Sequence, residues 1–246
     1  MATTKPSFPV TICAKCGGDV AAHLRYCPAC STDAGFPNVR YATDVSERLA
    51  LKQRLEAAQI SVAARGCEQA WRDFIAAAAD SRAILSRDLG ALDTLVKSEN
   101  ALYIGFHKQV RSGARVAEQN QWDHGRTAAE STVLPLFFEH VNYAALSLDG
   151  RGLAAYGEYF ISLKTRLIED RSSVFEENPF TFCRRHRIIA GEAAPLGYRA
   201  PWASRGELAG AKLYPKINAV TTKNEYPQIL LSPGSGTGDG RASDGD

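Results

Sequence analysis

The chain lacks any apolar run approaching 18 residues, so no transmembrane helix is expected. Its first residues, Met1-Ala2-Thr3-Thr4-Lys5-Pro6, carry no apolar stretch of the signal-peptide kind, and a cytoplasmic, reducing location is expected. It also lacks a dominant charge: 29 basic against 27 acidic side chains leave +2 over 246 residues. That argues against a global, histone-like electrostatic mechanism and leaves room for a local patch. There is no Walker A loop, no GxGxxG after a strand, no HExxH and no GxSxG, so the common nucleotide-binding and hydrolase signatures are missing. Asp149-Gly150-Arg151-Gly152 is too short for a phosphate loop. No internal repeat of the main body is present.

Cysteine is the informative residue type. Six cysteines stand at 13, 16, 27, 30, 67 and 183. The first four read Cys13-x-x-Cys16, ten residues, Cys27-x-x-Cys30, which is a spacing for tetrahedral Zn²⁺. Two tight knuckles bring four thiolates onto one ion, and Gly17-Gly18 permits the first turn. Pro28 stiffens the second knuckle, and Leu24 and Tyr26 are placed to cover the site. Two disulfides would use the same four residues, but nothing marks the chain as secreted and two cysteines are left over. Four cysteine ligands leave no open coordination position, so the metal is expected to be structural. His23 reads as a surface histidine, and Cys67 and Cys183 as buried thiols.

Cys13-Ala14-Lys15-Cys16-Gly17 and Tyr26-Cys27-Pro28-Ala29-Cys30 resemble the short bacterial zinc-ribbon family, in which a CxxCG knuckle precedes a CPxC knuckle by ten residues. The resemblance covers about residues 10–36. The family usually has glycine after the last cysteine, where this chain has Ser31.

The fold class expected is α+β: an N-terminal zinc ribbon, a helical middle segment and a mainly β C-terminal domain. The expected division is ribbon 1–36, linker 37–44, helical segment 45–100, α+β domain 101–231 and disordered tail 232–246. Residues 45–79 predict one helix or two, capped by Asp44 or Ser46 and interrupted at Gly66. Its apolar stripe is expected to run through Val45, Leu49, Leu55, Ile60, Val62 and Ala63, then Ala70, Phe74, Ile75 and Ala78, with Trp71 beside them. Residues 80–99 predict helix with a short strand at the start, 101–110 a strand or the start of a buried helix, and 111–130 a long loop. Strands are predicted at 143–148, 159–164, 173–175, 180–182, 208–213 and 228–231.

Charge is unevenly distributed. Residues 179–223 carry +6, and residues 224–246 carry −3. The basic block contains Arg184, Arg185, Arg187, Arg199, Arg205, Lys212 and Lys216, interleaved with Phe180, Phe182, Tyr198, Trp202 and Tyr214. Cations among stacking rings suit a nucleic-acid or other anionic surface.

Two further stretches gather polar side chains: Tyr103, His107, Lys108, Arg111, Trp122, His124 and Arg126; and Tyr156-Gly157-Glu158 with Arg171-Ser172-Ser173 and Glu176-Glu177. The second resembles bacterial ADP-ribosyltransferase-type toxins, although a Ser-Thr-Ser strand and an ExE or QxE strand are missing. The resemblance implies NAD as cofactor, with His107 on its ribose, Tyr156 stacked on nicotinamide and Glu176 or Glu177 orienting the acceptor.

The leading expectation is a structural-zinc protein whose ribbon and basic block contact nucleic acid or a protein partner, with no membrane involvement. The alternative is an NAD-dependent toxin or effector enzyme tethered through its ribbon. A homodimer through residues 45–79 is a third arrangement.

Overall fold

A computed structural model describes residues 10–97, 105–111, 113, 125–189 and 192–232. It is mixed helix and strand with small sheets, as the α+β expectation requires. Among the described residues no helix is long and apolar enough to cross a membrane.

The ribbon opens with β1 (Thr11–Ile12) antiparallel to β2 (Asp19–Val20). Where composition predicts a linker at 37–44, the chain forms α1 (Pro37–Thr43). Pro37 suits the first helical position, because the N–H it lacks has no acceptor there. Asp44 closes α1 and caps α2 (Val45–Ala64), its carboxylate accepting the Ser46 N–H at 2.8 Å. Gly66, at φ +66°, turns the chain into α3 (Glu68–Ala79).

The expected stripe holds for α3, where Phe74 and Ala78 are buried with Trp71 beside them, and in part for α2, where Val62 is buried and Leu55 packs on the core. Val45, Leu49 and Ile60 are exposed, and the buried residues are Glu47, Leu51, Ala58 and Val62. A buried ion pair at Glu47 fixes the rotation of α2, and hydrophobicity alone cannot show that in the sequence.

β3 (Arg82–Arg87) is the strand expected before α4 (Leu89–Lys97). Of the two alternatives for residues 101–110, strand or helix start, the described part takes the second, forming α5 (Phe106–Arg111), and α6 (Arg126–Val133) occupies the end of the expected loop. Tyr103, Trp122 and His124 lie outside the described residues, as do 233–246 of the expected tail. β3 is the central strand of an antiparallel sheet, between β4 (Ala145–Ser147) and β5 (Tyr159–Ser162), with Ala83 opposite Leu146 and Leu85 opposite Ile161. After α7 (Thr165–Ile168), β6 (Ser173–Phe175) pairs with β7 (Arg199–Pro201), Val174 opposite Ala200.

The mainly β expectation for the C-terminal part is corrected at three places. Residues 180–182, 208–213 and 228–231 lie in α8 (Pro179–His186), α9 (Arg205–Leu213) and α10 (Tyr226–Leu231). Asn178 and Pro179 start α8: the Asn178 side chain accepts the Phe180 N–H at 2.9 Å. In α9, glycine makes room for α3. A Cβ on Gly206 would sit 2.5 Å from Ile75 O, and one on Gly210 2.5 Å from Ile75 Cγ1. Trp71 Nε1 donates to Gly210 O at 3.1 Å across the same crossing. The main core lies here, joining Ala58 and Val62, Trp71 and Phe74, Ala209 and Leu213, and Tyr226 and Leu230.

Candidate metal centre

The two knuckles are copies of each other. Cys13 N–H donates to Gly18 O at 2.9 Å, and Cys27 N–H to Thr32 O at 2.9 Å. Gly17 N–H donates back to Cys13 O at 2.9 Å, and Ser31 N–H to Cys27 O at 2.8 Å. Each turn closes with a residue at positive φ directly after its second cysteine, Gly17 at 71° and Ser31 at 57°.

The knuckles converge. The four sulfurs of Cys13, Cys16, Cys27 and Cys30 all lie within 4.8 Å of one another. The Cys13–Cys30 and Cys16–Cys27 sulfur pairs are each 3.6 Å apart. Zn–S bonds of about 2.3 Å put the sulfurs of a tetrahedron about 3.8 Å apart, so the donor set fits such an ion. All six cysteines are free thiols, which corrects any reading of these four as disulfides.

The surroundings split the thiols: Cys16, although the Gly18 N–H lowers it, is pushed up to about 12 by the Cys30 and Cys27 sulfurs, whereas Cys13 and Cys30 are held low. Backbone N–H groups of Cys16 and Lys15 hold the Cys13 thiol below its ordinary value. Thr32, with Oγ1 3.2 Å from Cys30 Sγ, holds that thiol down to about 6. Thr32 was not singled out by sequence reasoning, although its place two residues after Cys30 is the usable signal: a hydroxyl there reaches back to the sulfur. Leu24 packs on the cluster as expected, Tyr26 is exposed, and His23 is exposed and outside the ligand set. The four cysteines can hold a metal ion, consistent with a zinc ribbon.

Much of the basic block is bonded inside the fold. Arg199 is 4% exposed, with Nε 2.8 Å from Glu47 Oε1 and Nη1 donating to Val133 O. Arg185 lies 2.8 Å from both Glu176 and Glu177. Arg205 donates to Ser81 O and Trp202 O and lies over the Trp202 ring. Lys212 Nζ donates to Ser232 O at 3.1 Å, and burial pushes its pKa down. Arg184 and Arg187 are exposed, Arg184 over Phe180, and Lys216 is half-buried.

The candidate catalytic residues fall into separate clusters. His107 Nε2 is 2.6 Å from Glu130 Oε2, whose other oxygen takes the Arg126 Nε–H at 2.6 Å. Tyr143 is half-buried with its hydroxyl out of solvent, and desolvation, with the Glu130 charge second, pushes its phenol up. Glu176 is held between Arg54 at 2.5 Å and Arg185, with Glu177 beside it. Tyr156 is exposed, its hydroxyl accepting from Asn178 at 3.5 Å. A shallow cleft of about 250 Å³ is lined by Arg25, Phe36, Arg166, Leu167, Asp170 and Arg171, and so by none of the four candidates. Cys67 is buried against Val62 and Ile217 carbonyls, and Cys183 is half-buried.

Compared with known protein families, curated proteins and solved structures, the chain matches none.

Proposed function

We propose that this is a zinc-dependent binding protein whose ribbon offers an apolar surface to a protein partner. The metal is zinc, held by Cys13, Cys16, Cys27 and Cys30. Four thiolates fill a tetrahedral shell, so it shapes the ribbon and leaves no position for a substrate.

The observation that carries the reading is exposure. Val10 and Ile12 are 56% and 61% exposed, and Tyr26 is 52% exposed. Three large apolar side chains in water on so short a segment mark a contact surface. A protein is preferred over nucleic acid because Arg185, Arg199, Arg205 and Lys212 already have partners within the fold.

The test is affinity purification from the native cell, comparing wild type with an Ile12→Asp, Tyr26→Ala variant of unchanged zinc content. A protein retained by wild type and lost by the variant is the expected result. Binding to labelled oligonucleotides at low salt would overturn the reading if it survived that variant and vanished on charge reversal at Arg184 and Arg187. The nucleic-acid expectation would then take its place.

A further inference from the structure

The ribbon is joined to the body by one side chain in particular. Arg40, in the last turn of α1, holds Nη2 within hydrogen-bond reach of the carbonyls of Ala21, Ala22 and Leu24, the first two at 3.1 and 3.0 Å, so that its two N–H groups are shared among three acceptors. These carbonyls belong to the segment between the knuckles, folded back by the Leu24 N–H bond to Ala21 O. They converge on one nitrogen because that segment is a turn, and the turn stands between two pairs of metal ligands. Arg40 Nε and Nη1 are buried without a hydrogen-bond partner among the described residues. The buried guanidinium therefore rests on those three carbonyls, and without them it is left a poorly partnered charge.

The opposite side of α1 belongs to the body. Asn38 Nδ2 donates to Arg171 O at 3.0 Å and lies 3.2 Å from Ser173 Oγ on β6. The Tyr41 ring lies 6.0 Å from Phe137, and Arg199 sits over it at 4.8 Å. Arg199 pairs with Glu47, which also accepts the Gly197 N–H at 2.6 Å. Chain and contacts thus run from the cysteines through Arg40 and Tyr41 to the Arg199–Glu47 pair.

We infer that Arg40 is a latch that makes metal occupancy of the four-cysteine centre a condition for docking α1 on the body. With the metal bound, the inter-knuckle turn presents its carbonyls and α1 is held. Without it the turn opens, Arg40 loses its acceptors, and α1 loosens together with the contact of Tyr41 on Arg199. The ribbon then acts as a metal-dependent lock on the body. This inference is independent of what the ribbon binds.

The experiment is hydrogen exchange by mass spectrometry on the full chain, zinc-loaded and chelated, for wild type and Arg40→Met. In wild type, chelation should speed exchange in residues 37–43 and 196–201, as well as in the ribbon, by about ten- to a hundredfold, the range for losing hydrogen bonds to a charged group. Zinc-loaded Arg40→Met should already show fast exchange at 37–43 while its ribbon stays protected. The latch is overturned if chelation of wild type deprotects residues 10–34 alone. It is equally overturned if zinc-loaded Arg40→Met keeps α1 as protected as wild type, or if the protein holds no zinc and α1 is protected anyway. Should Arg40→Met fail to fold, Arg40→Gln replaces it, and the wild-type pair with and without metal decides alone.

Discussion

Gly17 and Ser31 hold equivalent places in the two knuckles, each directly after a second cysteine and each at positive φ, 71° and 57°. Glycine adopts this conformation freely, whereas serine carries a Cβ into it. Ser31→Gly is therefore expected to stabilise the zinc-loaded protein by about 1 kcal/mol. Ser31→Val should cost at least as much. Thermal unfolding at fixed zinc concentration measures both, and equal midpoints for Ser31→Gly and wild type would refute the argument.

The Glu47–Arg199 pair is buried at both ends, with side chains 3% and 5% exposed. Removing one partner leaves an uncompensated charge in the core. Glu47→Leu or Arg199→Met alone should cost about 3–5 kcal/mol. The double replacement Glu47→Leu, Arg199→Met should recover much of that, because neither charge then needs solvation. Urea unfolding of the four proteins gives the coupling directly, and additive losses would count against a real pair.

Gly197 combines φ +84° with contact on α2: a Cβ there would meet Ala50 C and Leu51 N at 2.7 Å. Both atoms are backbone, so no side chain can rotate away. Gly197→Ala is expected to cost more than about 3 kcal/mol and to disturb the Arg54 and Glu47 bonds to this residue. A variant that unfolds at the wild-type urea midpoint would show that this loop does not need its close approach.

The neighbours Arg184 and Arg185 differ in fate. Arg185 is held by Glu176 and Glu177, whereas Arg184 is exposed over Phe180. Arg185→Glu should destabilise by about 3 kcal/mol or more, and Arg184→Glu by less than about 0.5 kcal/mol. Similar unfolding midpoints for the two would mean that the acidic pair does not depend on Arg185.

His186 stacks on Phe182 and Tyr198, and burial, with Arg185 second, pushes its pKa below the ordinary 6.5. A base whose folded pKa is lowered is protonated first in the unfolded chain. Its contribution to stability is therefore complete above pH 6.5 and is lost as pH falls through the lowered value. Glu177, raised by burial, works in the opposite sense and loses its contribution as pH rises. The difference between wild type and His186→Gln isolates the histidine: between pH 7.5 and 5, the wild-type urea midpoint should fall more steeply, and parallel curves would exclude it.

The four-cysteine cluster was legible because its chemistry is local. Two CxxC pairs ten residues apart fix four thiols to two turns, and the turns need little from the rest of the chain. Asp44 as a cap, the break at Gly66, the face of α3 and the strand at β3 were legible for similar reasons, each resting on a few adjacent residues. Ser31 was visible because it follows the last cysteine where glycine follows Cys16, and the structure supplies the backbone angle that gives the difference a cost.

The basic block shows the limit of the linear reading. Its +6 charge is real, but Arg185 meets Glu176 and Glu177, and Arg199 meets Glu47 152 residues earlier, so its charge density does not describe a surface. Likewise Leu208–Leu213 and Gln228–Leu231 are helical and join the core beside α3, where the glycines of α9 permit close approach, a tertiary contact that short apolar runs do not announce.

The sequence by itself determined the four-thiol centre, the helix caps and the main breaks, since these depend on spacing and backbone preference over a few residues. The tertiary structure alone decided the rotation of α2, which cations face water, and the attachment of the ribbon through Arg40. Those outcomes depend on pairing buried charges and carbonyls between segments far apart in the chain, where desolvation makes each group's partner, rather than its neighbours in sequence, set its energy.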